Sequence, residues 1–171
     1  KSVESDKYDV VGGDDLVYVL HGYFVSYTTK LIYQYCYNFE LMPETRIIFY
    51  QEEDGEVPVL EWLTRLSKEN KKAYGNCVGK INLLESFGYE LRRPAVDYLR
   101  DNIYELRAKY IHVQYRILYF FHGQNIAILA HAITKEQAVV PDIDIERAIK
   151  RKSLFEENPD IHTYEGENEE N

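Results

Sequence analysis

Between residues 44 and 88 the apolar positions change from a short continuous run to a helical spacing. Residues 46–50 (RIIFY) end at the acidic turn 52–55 (EEDG) and predict a strand. Pro58 suits a first helical turn, because the N–H that it lacks would be unpaired there. Two helices in tandem are then predicted, one from Pro58 and one from about Glu69 to Phe87. Their apolar stripes are Val59, Leu60, Leu63 and Leu66, with Trp62 beside them, and then Ala73, Cys77, Ile81, Leu84 and Phe87.

The next part of the chain predicts three strands and a final helix. Residues 103–110 alternate, with Tyr104, Leu106, Ala108 and Tyr110 on one face and Glu105, Arg107 and Lys109 on the other. Residues 113–121 (VQYRILYFF) are too apolar for a strand with one solvated face, so this strand is predicted to be central. The third strand is 126–133, and a helix is predicted after Pro141, ending near Leu154. The order is β-α-α-β-β-β-α, an α+β fold in which a helical hairpin packs on a small, mostly antiparallel sheet.

The two ends of the chain differ in composition from this central segment of residues 42–155. Residues 1–41 are rich in Tyr and Phe without regular alternation, and the only Met is Met42. This segment is interpreted either as upstream sequence translated together with a protein that starts at Met42, or as a β-rich extension. Residues 156–171 are acidic with little to bury, and are predicted to form a mobile tail.

The net charge of −9 comes from the two ends of the chain. Residues 1–43 carry −3, residues 156–171 carry −7 and residues 44–155 carry +1, so an anionic partner is compatible with the centre. The 171 residues are 45% hydrophobic, which suits one folded domain with extensions. Two Cys and the lack of a membrane-spanning stretch or signal peptide predict a cytoplasmic protein.

Cationic side chains on the predicted strands are the candidates for chemistry. The sequence has no phosphate-binding loop, nucleophile elbow or metal-ligand spacing, so no cofactor or metal is expected. Arg107 and Lys109 share one strand face, Arg116 interrupts the apolar central strand, and Lys135 lies with His131 at the end of the third strand. Burying a guanidinium among apolar residues is costly unless it has a partner or faces a cleft.

Neighbouring strands lie about 4.8 Å apart, so these cations can converge on one patch that suits a phosphodiester. Tyr110, Tyr115 and Tyr119 are candidate stacking surfaces for unpaired bases. The alternative is structural: Arg107 would pair with Glu105 or Glu90, Lys109 would be solvated, and the histidines would pack.

Several motifs together resemble the RelE/ParE toxin superfamily, and most closely its HigB-like, phage-derived branch. The resemblance covers about residues 44–155. The pair L-R-D-x-x-Y-E-L-R and Y-R-x-x-Y-F is its most specific part. The motifs are 88–94 (GYELRRP), 99–107 (LRDNIYELR), 115–120 (YRILYF), 128–135 (ILAHAITK), and Pro141 followed by 144–148 (DIERA).

The resemblance implies a RelE-like fold and a toxin of a type II toxin–antitoxin system, held by a helix-turn-helix antitoxin. The implied activity is metal-independent, ribosome-dependent cleavage of mRNA by attack of a ribose 2′-OH on the adjacent phosphate. Arg107 and Arg116 would clamp the phosphate, Lys135 would stabilise charge or transfer a proton, and His131 would transfer a proton. The RNA-binding residues implied are Lys109, Arg93, Arg100 and Tyr115.

The chain departs from the family pattern after the third strand. The usual K-K-T-Q-K-T-P turn is Lys135-Glu136-Gln137-Ala138-Val139-Val140-Pro141 here, and no Tyr follows between Lys135 and Phe155. Two alternatives therefore stay open: a ParE-like inhibitor of DNA gyrase that cuts nothing, or an inactive member that only binds its antitoxin.

Overall fold

The computed structural model of the protein describes residues 15–20, 23–28, 44–135 and 139–164. The chain divides into two compact units, Lys1–Met42 and Pro43–Asn171. In the first unit, β1 (Asp15–Leu20) and β2 (Tyr23–Thr28) form an antiparallel hairpin. The other residues of the predicted 1–41 segment lie outside the described residues, and both interpretations of that segment stay predictions.

The second unit confirms the predicted α+β fold, with a helical hairpin on a mostly antiparallel sheet. The strand order in the sheet is β4-β5-β6-β7-β3-β8, in which β3 runs parallel to β7 and the other pairs are antiparallel. Its elements are β3 (Arg46–Tyr50), α1 (Pro58–Glu69), α2 (Lys71–Phe87), β4 (Val96–Arg100), β5 (Ile103–Tyr110), β6 (Val113–His122), β7 (Ile126–Lys135), α3 (Asp142–Glu157) and β8 (Thr163–Tyr164).

Two strands were not predicted from the sequence. Edge strand β4 pairs with β5, and the two-residue β8 pairs with β3. Helix α3 continues to Glu157 and buries Phe155, and His162 stacks on Tyr50 with ring centroids 5.0 Å apart. Residues 156–164 therefore belong to the packed unit and correct the prediction of a mobile tail from residue 156. The remainder of that predicted tail, 165–171, lies outside the described residues.

The sheet is covered on both faces by different helices. Helices α1 and α2 pack on one face through a cluster that includes Leu63, Leu84 and Leu106, and α3 packs on the other through Ile145 and Phe155. Strand β6 lies between β5 and β7, and its residues 115–120 are buried, which confirms the predicted central strand. No helix in the described ranges is long and apolar enough to span a membrane.

The helical hairpin ends where Gly88 lies close to the Thr45 side chain. The Asn70 side chain accepts a hydrogen bond from the Ala73 N–H and begins α2. Gly88 ends α2 with a φ of 47°. A Cβ at this position would lie 2.2 Å from Thr45 Oγ1, so only glycine fits. This contact and the hydrogen bond from the Thr45 N–H to the Glu85 carbonyl hold the end of α2 against the start of β3.

Candidate functional site

The turn between β5 and β6 brings two predicted site residues together. Tyr110 pairs with Val113 across a two-residue turn. Arg107, three positions before Tyr110, therefore lies opposite Arg116, three positions after Val113. Residues directly opposed in an antiparallel pair project to the same face of the sheet. The predicted convergence of Arg107 and Arg116 therefore occurs, on the face that carries α3.

One buried carboxylate lies between these two guanidinium groups. Glu105 Oε1 is 2.7 Å from Arg107 Nε, and Glu105 Oε2 is 2.9 Å from Arg116 Nε. Neither contact has the alignment of a hydrogen bond. The Glu105 side chain is 3% exposed, so its charge depends on these two partners rather than on water. Pairing of Arg107 with Glu105 was the structural alternative considered above, and sharing of Glu105 by both arginines was not predicted.

A second carboxylate, on the edge strand β4, extends the network outward. Asp97 Oδ2 is 2.7 Å from Arg93 Nη2 and 3.5 Å from Arg107 Nη1. We call Arg93, Asp97, Glu105, Arg107 and Arg116 the arginine cluster. Its three guanidinium groups and two carboxylates leave one positive charge. The cluster therefore keeps a net attraction for an anion although every member is paired.

The two opposed arginines differ in exposure and hence in what they can contact. The Arg107 side chain is 30% exposed, whereas that of Arg116 is 6% exposed and also donates to Gln114 Oε1 at 3.1 Å. Burial, and then the neighbouring Arg107, lower the pKa of Arg116, whereas Glu105 opposes this shift. Arg107 is therefore the one of the two that solvent can reach. Arg116 is better placed to hold Glu105, and through it Arg107.

The other predicted cations of this face lie within the arginine cluster or next to it. Arg93 is a member of it, and Lys109 is exposed two residues beyond Arg107 on the same strand. The backbone of Lys135 pairs with Gln114, which places this position next to Arg116 on the neighbouring strand. The side chain of Lys135 lies outside the described residues, so its predicted role stays a prediction.

His131 lies under α3, which does not favour the predicted proton transfer to RNA. It is 9% exposed. Its Nε2 lies 2.9 Å from Asp144 Oδ1, and its Nδ1 lies 3.1 Å from Arg151 Nη1. A neutral ring with its proton on Nε2 satisfies both contacts, because it donates to the carboxylate and accepts from the guanidinium. These contacts hold α3 on the sheet, and we interpret His131 as a structural residue.

At pH values below 6.5, the stability of the protein is expected to decrease because of His131. Burial is the main cause that lowers the pKa of His131 from 6.5; the nearby Arg151 and Arg147 lower it further, and Asp144 opposes them. The unfolded chain therefore binds this proton at a higher pH than the folded protein does. Unfolding becomes easier as the pH falls through 6.5, by at most about 1.4 kcal/mol per pH unit for one proton.

Urea unfolding of the wild type and of His131→Asn between pH 7.5 and pH 5 measures this contribution. The stability advantage of the wild type should shrink as the pH falls, since the variant has no ring to protonate. The exposed His112 gives the matched substitution His112→Asn, which should cost less stability at pH 7.5 than His131→Asn does. If the wild type exceeds His131→Asn in unfolding free energy by the same amount at pH 7.5 and at pH 5, this interpretation is contradicted.

Two predicted RNA-binding residues have structural roles instead. Arg100 lies 2.9 Å from Asp142 Oδ1 and also pairs with Glu146, so it fastens β4 to α3. Tyr115 is 4% exposed and packs edge-on against Trp62, with ring centroids 6.2 Å apart. The strand alternation directs Tyr115 to the α1 side of the sheet, where its ring is not available to a base. The prediction of base stacking by Tyr115 is therefore wrong.

The carboxylates that organise the site were not predicted from the sequence. Asp97 and Asp144 were not considered because β4 and the path of α3 over the sheet were not foreseen. Strand alternation had placed Glu105 on the face of Arg107, which was the available signal for it. Among the described residues, no group of three or more His, Cys, Asp or Glu side chains could hold a metal ion.

Comparison with known proteins supports the RelE-like, phage-derived part of the resemblance found from the motifs. The family model described as "Phage derived protein Gp49-like (DUF891)" matches residues 61–153, which is more than half of the chain. The match runs from within α1 to within α3 and includes the whole arginine cluster. No curated protein matches the chain. The chain belongs to the Gp49-like family of phage-derived proteins, a RelE-like family associated with the toxins of toxin–antitoxin systems.

Proposed function

We propose that the protein is the toxin of a type II toxin–antitoxin system and acts as an endoribonuclease on ribosome-bound mRNA. It would belong to the HigB-like branch and cleave without a metal ion. The observation that carries the proposal is the arginine cluster, in which the partly exposed Arg107 is held by the buried Glu105 on its own strand, and Glu105 is held by Arg116 on the adjacent strand. A toxin that acts on ribosome-bound mRNA would act in the cytoplasm.

The cluster is suited to hold a phosphodiester and to stabilise its transition state. Attack by the 2′-oxygen, whose proton passes to solvent water, forms a new P–O bond and breaks the bond to the 5′-oxygen, and negative charge grows on the other phosphate oxygens. Arg107 would donate to these oxygens, and a guanidinium fixed in advance needs little reorganisation. Lys135 is our candidate for giving the proton to the departing 5′-oxygen, because its backbone lies beside the cluster.

The partner proposed for this surface is a helix-turn-helix antitoxin. An acidic or amphipathic segment of such a partner would neutralise the single net charge of the cluster and cover Arg107. The charge of the cluster is small, so binding to the ribosome would depend on further contacts.

A translation assay tests the proposal directly. Purified protein is added to a reconstituted translation reaction, and mRNA ends are mapped by primer extension, with ribosome-free mRNA in a parallel reaction. We expect new ends within codons in the ribosomal A site only when ribosomes are present. Intact mRNA together with inhibited DNA supercoiling would show the gyrase alternative, and intact mRNA with neither effect would show a member that only binds its antitoxin.

A further inference from the structure

A small aromatic pocket lies on the face of the sheet opposite the arginine cluster. Tyr89, Tyr104, Tyr119 and Phe121 line it together with Arg92, and its volume is about 220 Å³. We call these five residues the aromatic pocket. Sites for drug-sized ligands have about 300–1,000 Å³, so this space suits a single planar ring system.

The walls of the pocket are flat rings, and all of them except Tyr119 are partly open to solvent. Tyr89 stacks on Phe121 with centroids 3.5 Å apart, and Tyr104 stacks on Tyr119 at 5.6 Å. Tyr89 is 43% exposed, and Tyr98, edge-on to Tyr104 at 5.4 Å, is 53% exposed. Exposed aromatic surface of this kind binds the faces of unpaired bases without regard to sequence.

Tyr119 adds a ring with a hydroxyl group to the lining of the pocket. Tyr119 is 1% exposed and lines the pocket, and its hydroxyl makes no hydrogen bond with any described residue. Burial raises the pKa of Tyr119 well above its ordinary value, so the group stays protonated and able to donate. A ligand with an acceptor atom in the plane of its ring would complete this site.

The edge strand β4 connects the pocket with the arginine cluster. Arg92 lines the pocket, where its exposed side chain lies 3.7 Å from Glu90, whereas the next residue, Arg93, pairs with Asp97 in the cluster. Val96 lines the pocket, and its neighbour Asp97 faces the other way. Successive strand residues point to opposite faces, so only the thickness of one edge strand separates the two sites.

We infer that the aromatic pocket binds one unpaired base of the RNA strand whose phosphate contacts the arginine cluster, with the strand passing over the edge at β4. The inference rests on the proposed function for its ligand. A base supplies the flat face that the rings accept, and it supplies ring nitrogen or carbonyl acceptors for the Tyr119 hydroxyl. Arg92 and Arg93 offer positive charge to the backbone on both sides of the edge.

Fluorescent RNA tests this inference with the full chain. The probes are single-stranded hexamers of 2′-O-methyl nucleotides, which cannot be cleaved by 2′-oxygen attack, with 2-aminopurine at successive positions. Stacking quenches 2-aminopurine, so one position should lose fluorescence on binding. Tyr104→Leu should weaken binding about tenfold and remove the quenching. Tyr119→Phe should weaken binding about threefold and keep the quenching, because it removes only the hydroxyl.

Tyr74→Leu is the matched control, since Tyr74 is half-buried against the same core but lies outside the pocket. It should bind and quench like the wild type. Quenching that survives both Tyr104→Leu and Tyr119→Phe with unchanged affinity overturns the inference. Absence of quenching in wild-type protein that cleaves mRNA also overturns it and leaves the nuclease proposal intact. Pocket-dependent quenching without mRNA cleavage supports the inference and removes the nuclease.

Discussion

Replacing Glu105 with Gln is expected to destabilise the protein by about 3–5 kcal/mol, because it leaves two guanidinium groups without their shared carboxylate. The Glu105 side chain is 3% exposed and that of Arg116 is 6% exposed, so water cannot replace the lost charge. Gln has nearly the same size as Glu, and the change therefore tests charge rather than packing. Urea unfolding at pH 7 measures the loss.

An exposed ion pair provides the matched control for this prediction. Glu156 lies 3.6 Å from Lys152 and its side chain is 51% exposed, so Glu156→Gln should cost less than about 1 kcal/mol. The double variant Glu105→Gln with Arg116→Met should be more stable than Glu105→Gln alone, because it removes one of the uncompensated buried charges. A loss for Glu105→Gln as small as that for Glu156→Gln would show that the cluster is not held by this carboxylate.

Most of the fold could be predicted because local patterns and burial agree in the helices and long strands. The helical spacing after Pro58 and the unbroken apolar run of β6 each indicate one arrangement, and the structure has it. Strand β4 was missed because it is only five residues long, with two charged residues, and its pairing depends on β5. Strand β8 is two residues long and exists only through contact with β3, so no local pattern could indicate it.

The part of the candidate site that could be predicted is the part that follows from strand pairing. Arg107 and Arg116 were expected to share a face, and the two-residue turn at 111–112 makes them direct neighbours. Whether such arginines are free or paired depends on what covers them, and the path of α3 and the presence of β4 decide this. The structural contacts of His131 and Arg100 were not predicted for the same reason, since their partners include carboxylates of α3, whose path over the sheet was not foreseen.

Substituting Arg107 with Ala is expected to lower the rate of mRNA cleavage by about 10²–10³-fold, the cost typical of removing one donor to a developing oxyanion. Arg107 is the exposed arginine of the opposed pair, so it is the one that can touch phosphate. Arg107→Lys should recover only part of the rate, because an ammonium group keeps the charge but loses the two-pronged contact. Primer extension after timed translation reactions gives the rates, and expression in cells gives the matching loss of growth arrest.

Two controls separate catalysis by Arg107 from its part in the buried network. Arg65, exposed on α1, lies away from the cluster, and Arg65→Ala should cleave at the wild-type rate. Urea unfolding should show that Arg107→Ala costs far less stability than Glu105→Gln, because the remaining Arg116 and Glu105 still neutralise each other. A stably folded Arg107→Ala that cleaves as fast as the wild type would mean that the phosphate binds elsewhere. The arginine cluster would then serve only to join β4, β5 and β6, and the search for the nuclease site would move away from this face.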